Sequence, residues 1–209
     1  MRRLFVLTAL AACACRPHES LPYFNSAAFA PEWLSSSEAH RASVHRVAPF
    51  MMRDQDSALV TQAALTGRIT VIHFFSAKCG DICPTTHQQI AGLLRELPNA
   101  PQVQVLSFSV APERDTVAAL REYARMRNIR DARWHLLTGS RADVERLAKE
   151  SFFVRIGADS TYGGRSIRHT ENLLLIDGEG HIRGVYAGTL AIEAAQLKAD
   201  IETLLANRG

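Results

Sequence analysis

Apolar positions along the chain fall into runs and spacings that predict alternating strands and helices. "RITVIHFFS" (68–76) is a continuous apolar run of strand length, rich in β-branched and aromatic residues, as a strand buried on both faces should be. "VQVLSFSV" (103–110) reads as a second buried strand, and "RWHLLTG" (133–139) is short and strand-like. Between the first two, Ile90, Leu93, Leu94 and Leu97 recur at helical spacing, with Pro84 in the first turn, where its missing N–H would have no helical partner. "DTVAALREYARMRN" (115–128) reads as a helix capped by Asp115, and Ser140 with Asp143 opens another over "RADVERLAKESF". "NLLLIDGEGHIRGVYAG" (172–188) reads as two strands around Gly178-Glu179-Gly180. Leu197, Ile201, Leu204 and Leu205 mark the inner face of a last helix. Upstream, Asp54-Gln55-Asp56 reads as a turn between two short strands within "HRVAPFMMRDQDSALVT".

The resulting order, β-α-β-α-β-α-β-β-α after an amino-terminal hairpin, implies an α/β fold with a mostly parallel sheet covered on both faces. This is the outline of a thioredoxin-like fold, a central sheet flanked by helices with one extra amino-terminal hairpin. The domain is expected over residues 44–209. Residues 13–43, including "SLPYFNSAAFAPEWLSSSEAH", mix prolines, serines and isolated aromatics without a period and read as a tether with some docked apolar residues.

Charge narrows the functional classes. The net charge is +3 with a pI near 8.8, and no block of like charges appears, so nothing points to a nucleic-acid partner. The first residues, "MRRLFVLTALAACACRP", place two arginines before an apolar run of roughly ten residues, the plan of a secretory signal over residues 1–12. That run is shorter than the ~20 residues a membrane helix needs. Leu10-Ala11-Ala12-Cys13 resembles the lipobox of bacterial lipoproteins, which implies a lipid on Cys13 and a place in the bacterial cell envelope, on the periplasmic side of a membrane. Ordinary secretion with cleavage near Ala12 or Ala14 is the alternative. Both put the domain where disulfides persist.

With Cys13 lipidated and Cys15 beside it, Cys79 and Cys83 are the thiols of the folded part. They lie in "KCGDICPTTH", at the junction of a central strand and a helix. A helix amino terminus favours the thiolate, which makes a better nucleophile and a better metal ligand. Three intervening residues can close a disulfide, serve a redox couple, or bring two sulfurs to one ion. A metal would need further donors, and His169, at the start of "HTENLLLID" after the loop "GADSTYGGRSIR", is a candidate. His87, four residues after Cys83, reads as an exposed polar residue or an auxiliary ligand, and His73, inside an apolar strand, as a core histidine. Met51 and Met52 offer soft sulfur but also suit a strand. Thioredoxin oxidoreductases carry a cis-proline opposite their cysteines; here the last proline is Pro112, and His169 stands in that neighbourhood.

"CGDICPTTH", "SFSVAPERDT", "WHLLTG" and "RHTENLLLIDGEG", in this order, resemble the Sco/SenC family of copper-binding, thioredoxin-like proteins. The resemblance runs from about His45 to the carboxy terminus. It implies copper, Cu(I) or Cu(II), held by Cys79, Cys83 and His169. It also implies a respiratory oxidase subunit as the recipient, at the CuA centre of cytochrome c oxidase. Some members act on that centre as thiol-disulfide reductants, so a membrane-tethered oxidoreductase using Cys79 and Cys83 as its redox pair is the alternative. One position departs from the pattern: Ala111 stands where the family usually has an aspartate before Pro112.

Overall fold

The computed structural model describes residues 20–35, 37–38, 43–79, 82–156, 161–162, 165–166 and 171–207. Its centre is a seven-stranded sheet in the order β11-β10-β5-β6-β7-β3-β4. The strands are β3 (Met51–Asp54), β4 (Leu59–Thr61), β5 (Ile69–Phe75), β6 (Val103–Ser109), β7 (Trp134–Thr138), β10 (Asn172–Ile176) and β11 (Ile182–Ala187). β5, β6 and β7 run parallel, with Ile69 opposite Val103 and Phe75 opposite Ser109. β10 and β3 pair antiparallel on either side of this trio, β10 with β5 and β3 with β7.

Every residue of β5 and β6 is buried, the polar Thr70, His73, Gln104, Ser107 and Ser109 among them. Alternation sends Val71 and Phe75 to one face of the sheet, against helices α1 (Ile82–Glu96), α2 (Val117–Met126) and α4 (Ala191–Ala206). Ile72 and Phe74 face the other way, onto α3 (Arg141–Phe152) and the 47–65 segment. The thioredoxin-like expectation with its added hairpin holds: β3 and β4 extend the sheet beyond β7. Asp54 closes their turn, its Oδ1 accepting the N–H groups of Asp56 and Ala58, both at 2.9 Å. In the other hairpin Asp177 does the same for Glu179 and His181, and Gly180 supplies the left-handed residue, φ +88°.

The segment before residue 44 contributes more order than its composition suggests. β1 (Tyr23–Phe24) and β2 (Pro31–Glu32) form a small hairpin, and Leu21 and Tyr23 are buried. Arg183 of β11 clamps it: its guanidinium lies over the Tyr23 ring at 3.9 Å, donates to the carbonyls of Leu21 and Pro22, and pairs with Asp177 at 3.0 Å. A further short pair, β8 (Thr161–Tyr162) with β9 (Arg165–Ser166), lies before β10. Among the described residues no helix is long and apolar enough to cross a membrane.

Candidate metal centre

The loop from β5 to α1 is fixed by backbone hydrogen bonds before any thiol chemistry is considered. The N–H of Cys79 donates to the carbonyl of Ser76 at 3.0 Å, turning the chain sharply at the end of the strand. Asp115 fastens the same loop from outside: its Oδ2 accepts the N–H of Ala77 at 3.1 Å and the Ser109 hydroxyl at 2.6 Å. The side chain is 2% exposed. The expectation that Asp115 caps α2 therefore fails. Thr116 is the cap, its hydroxyl accepting the N–H of Ala119, which releases the neighbouring carboxylate to reach the cysteine loop. Ala111, where the family pattern has an aspartate, is buried and contributes only backbone bonds to this turn.

Cys79 and Cys83 are brought together, with their side chains hydrogen-bonded. Cys79 is half-buried; Cys83 is 1% exposed and belongs to the apolar core under α1. Burial pushes the Cys83 thiol up to about 12, reinforced by its hydrogen bond with Cys79, while a backbone bond at Ser76 and the Arg127 charge pull weakly the other way. This runs against the expectation of a thiolate favoured by the helix end: burial favours the neutral thiol of Cys83. A soft metal ion binding here displaces a proton from sulfur.

Among the described residues no third histidine, cysteine, aspartate or glutamate joins the two thiols. His169, the expected third donor, lies outside the described residues, as do Cys13 and Cys15. β10 begins three residues further on, at Asn172. The carbonyl of Glu171 accepts the N–H of Gly188 at 2.8 Å. A Cβ on Gly188 would fall 2.7 Å from that carbonyl oxygen and 2.9 Å from the methyl of Thr86, so only glycine allows the approach. Thr86 is in the first turns of α1, three residues after Cys83. The fold thus holds the entry to β10 against the cysteine-bearing helix.

The other histidines resolve differently. His87 is 5% exposed, not a surface residue. It shares a 3.0 Å hydrogen bond between Nδ1 and the Tyr123 hydroxyl and sits edge-on to Trp134 and His73, with ring centroids 5.3 Å away in each case. Burial, helped by the Arg127 charge, lowers its pKa to about 4, so the ring is neutral. Its Nε2 has no hydrogen-bond partner among the described residues. His73 is buried, as its strand implied. Met52 points into the core and Met51 outward, and both line a groove with Pro112 and Thr116 on the β3 side of the sheet.

A thioredoxin-like domain with a Cys-x3-Cys pair in place of the usual Cys-x2-Cys, at the end of its central strand, is the class that fold and site define. The family model described as SCO1/SenC matches residues 38–206, and the chain belongs to that family. It is similar in structure to a SCO1/SenC family lipoprotein from Bacillus anthracis, with 26% identity and a TM-score of 0.68 over 77% of this chain and 95% of the other. It is also similar to BsSco, described as a member of the Sco family of cytochrome c oxidase assembly proteins with a disulfide switch. That pair shows 25% identity and a TM-score of 0.66 over 77% of this chain and 93% of BsSco. A third similar structure is Bradyrhizobium japonicum ScoI with copper bound, at 27% identity and a TM-score of 0.62 over 75% of this chain and 98% of ScoI.

Proposed function

We propose that this chain is an extracytoplasmic copper chaperone. It binds one copper ion through the Cys79 and Cys83 sulfurs and the His169 imidazole, and it assists assembly of the CuA centre of cytochrome c oxidase. The observation that carries the reading is the pair of hydrogen-bonded thiols after the end of β5, one buried and one half-buried. Two soft sulfurs suit Cu(I), an added imidazole suits Cu(II), and three donors leave a position open for transfer to a partner. The copper bound to ScoI and the oxidase-assembly role of the family of BsSco support the cargo and the recipient. The B. anthracis lipoprotein supports a lipid on Cys13 and a site at the periplasmic surface of a bacterial membrane.

A second reading shares the same atoms. Thiols in contact form a disulfide with little movement. Cys79 as thiolate would attack a partner disulfide to give a mixed disulfide, and Cys83 would then displace the partner. Two electrons pass to the partner as its dithiol, leaving Cys79 and Cys83 oxidised.

His169→Ala separates the readings. Copper binding should lose its sulfur-to-Cu(II) charge-transfer band and most of its Cu(II) affinity, while Cu(I) persists on the two thiols and the disulfide still forms. Unchanged Cu(II) affinity and spectrum would remove His169 from the ligand set.

A further inference from the structure

A groove of about 750 Å³ runs along the outer face of α1, opposite the 126–131 segment that follows α2. It begins at Pro84, the residue after Cys83, and continues to Arg95, about three helical turns away. Arg95, Arg127 and Arg130 line it, and all three are exposed. Among the described residues none of the three is ion-paired, although Arg95 donates to the Ala91 carbonyl at 3.3 Å and Arg127 lies over the Tyr123 ring at 5.6 Å; the acidic residue in the lining, Asp131, is held by Arg133 through side-chain bonds of 2.7 and 2.9 Å. The buried His87 and Trp134 also contribute to the lining, and Met126 stands 63% exposed beside the arginines.

Part of this charge has a local explanation. Arg95 is in the last turn of α1 and Arg127 follows α2, positions where a cation complements the helix dipole. That accounts for neither Arg130 nor the convergence of all three on one groove whose first lining residue, Pro84, follows Cys83 in the chain.

We propose that this groove docks an acidic, apolar-bearing polypeptide segment of the protein that exchanges copper or electrons with Cys79 and Cys83. The proposal rests on the functional reading above for what is exchanged; the docking chemistry stands apart from it. Unpaired guanidinia select carboxylates, steer the encounter and set the register of the partner. The length of the groove and the exposed Met126 favour a chain over a small anion, which would engage the arginines and leave the thioether in water. A segment seated here passes Pro84, the residue that follows Cys83.

The test is an NMR titration of the metal-free, reduced, isotope-labelled chain with an amidated peptide of alternating Glu-Glu-Leu, with its Lys-Lys-Leu counterpart as control. Shifts should map to the outer face of α1 and to residues 126–131, and affinity should fall as salt rises. Arg95→Glu combined with Arg130→Glu should weaken binding about tenfold or more, with the copper spectrum unchanged. Cys79→Ser with Cys83→Ser should lose copper and keep the peptide, so failure of the copper reading and failure of docking are distinguishable. No shifts, shifts elsewhere, equal binding of the lysine peptide, or equal affinity in the arginine double variant would each overturn the proposal. So would citrate reproducing the same shifts at the same concentration, which would make this a small-anion site.

Discussion

Asp115 meets the backbone N–H of Ala77 at 3.1 Å, joining the residue before the cap of α2 to the loop two residues ahead of Cys79. The same oxygen holds the Ser109 hydroxyl, so one buried carboxylate fixes the ends of two neighbouring strands and the approach to the thiols.

Removing that carboxylate should be costly. Asp115→Ala leaves a buried N–H and a buried hydroxyl without their acceptor, and a loss of about 3 kcal/mol is expected in urea denaturation. Alkylation of Cys79 in the folded protein should accelerate as its loop loosens. Asp115→Asn, which keeps an oxygen acceptor, should recover most of both. Wild-type midpoints and labelling rates in the alanine variant would show that the tie is dispensable.

His87 makes stability depend on pH. Its pKa falls from 6.5 in the unfolded chain to about 4 in the fold, because burial penalises the imidazolium. Between those values the unfolded state binds more protons, so stability is full above about pH 6.5 and declines as pH falls toward 4, by about 3 kcal/mol in all. In His87→Phe this decline should disappear, read as the difference between urea midpoints at neutral and mildly acidic pH. An unaltered pH slope in the variant would place the titration elsewhere.

Gly188→Ala forces a methyl into the space occupied by the Glu171 carbonyl and Thr86. Overpacking of this kind costs about 1–3 kcal/mol, and it moves the entry to β10 away from α1. With His169 as the proposed donor, Cu(II) affinity should drop and its charge-transfer band shift, while the thiols still react with alkylating reagents. Thr86→Ser, which removes the crowding methyl, should restore part of the spectrum. A Gly188→Ala protein with the wild-type copper spectrum would separate this contact from the metal centre.

Arg183→Ala should release the amino-terminal segment. The variant forfeits the stacking on Tyr23, the bonds to Leu21 and Pro22, and the pair with Asp177. Limited proteolysis should then cut near Leu21–Phe24 well before the core is attacked. Equal protection in both proteins would count against the clamp.

The proposed lipid on Cys13 is tested by fractionation. Cys13→Ser should shift the domain from the membrane fraction to the soluble one. Normal processing with full membrane retention would refute the anchor.

Much of this architecture is legible in the sequence because it follows from local periodicity. β5 and β6 stand out as strand-length segments rich in β-branched and aromatic residues, and Leu93 and Leu94 mark the buried side of α1. The strand-to-helix position of Cys79 and Cys83 follows from those two elements alone. What escaped depends on contacts remote in sequence. Asp115 precedes a helix, where aspartate ordinarily caps, and nothing local reveals that Ala77 and Ser109 compete for it. His87 looks like a surface residue until Tyr123 and Trp134, 36 and 47 positions away, close around it. The Cys83 thiol follows the same logic: a helix end can be read from one segment, whereas desolvation depends on the whole core. Leu21 and Tyr23 are isolated apolar residues whose burial depends on an arginine 162 positions after Leu21.

That arginine also sets the geometry of reach. Arg183 grips Leu21 near the level of Thr70, where β5 begins, whereas the thiols follow Phe75, where it ends, about 17 Å further along the strand. Eight residues separate Leu21 from Cys13, at most about 28 Å of extended chain. With Cys13 as the proposed anchor, the domain is leashed by the end remote from its sulfurs. Drawn taut, the leash turns Cys79 and Cys83 away from the bilayer and sweeps them through a shell reaching about 45 Å above it. On that proposal, receiving sites more than about 45 Å from the bilayer surface lie beyond a tethered donor.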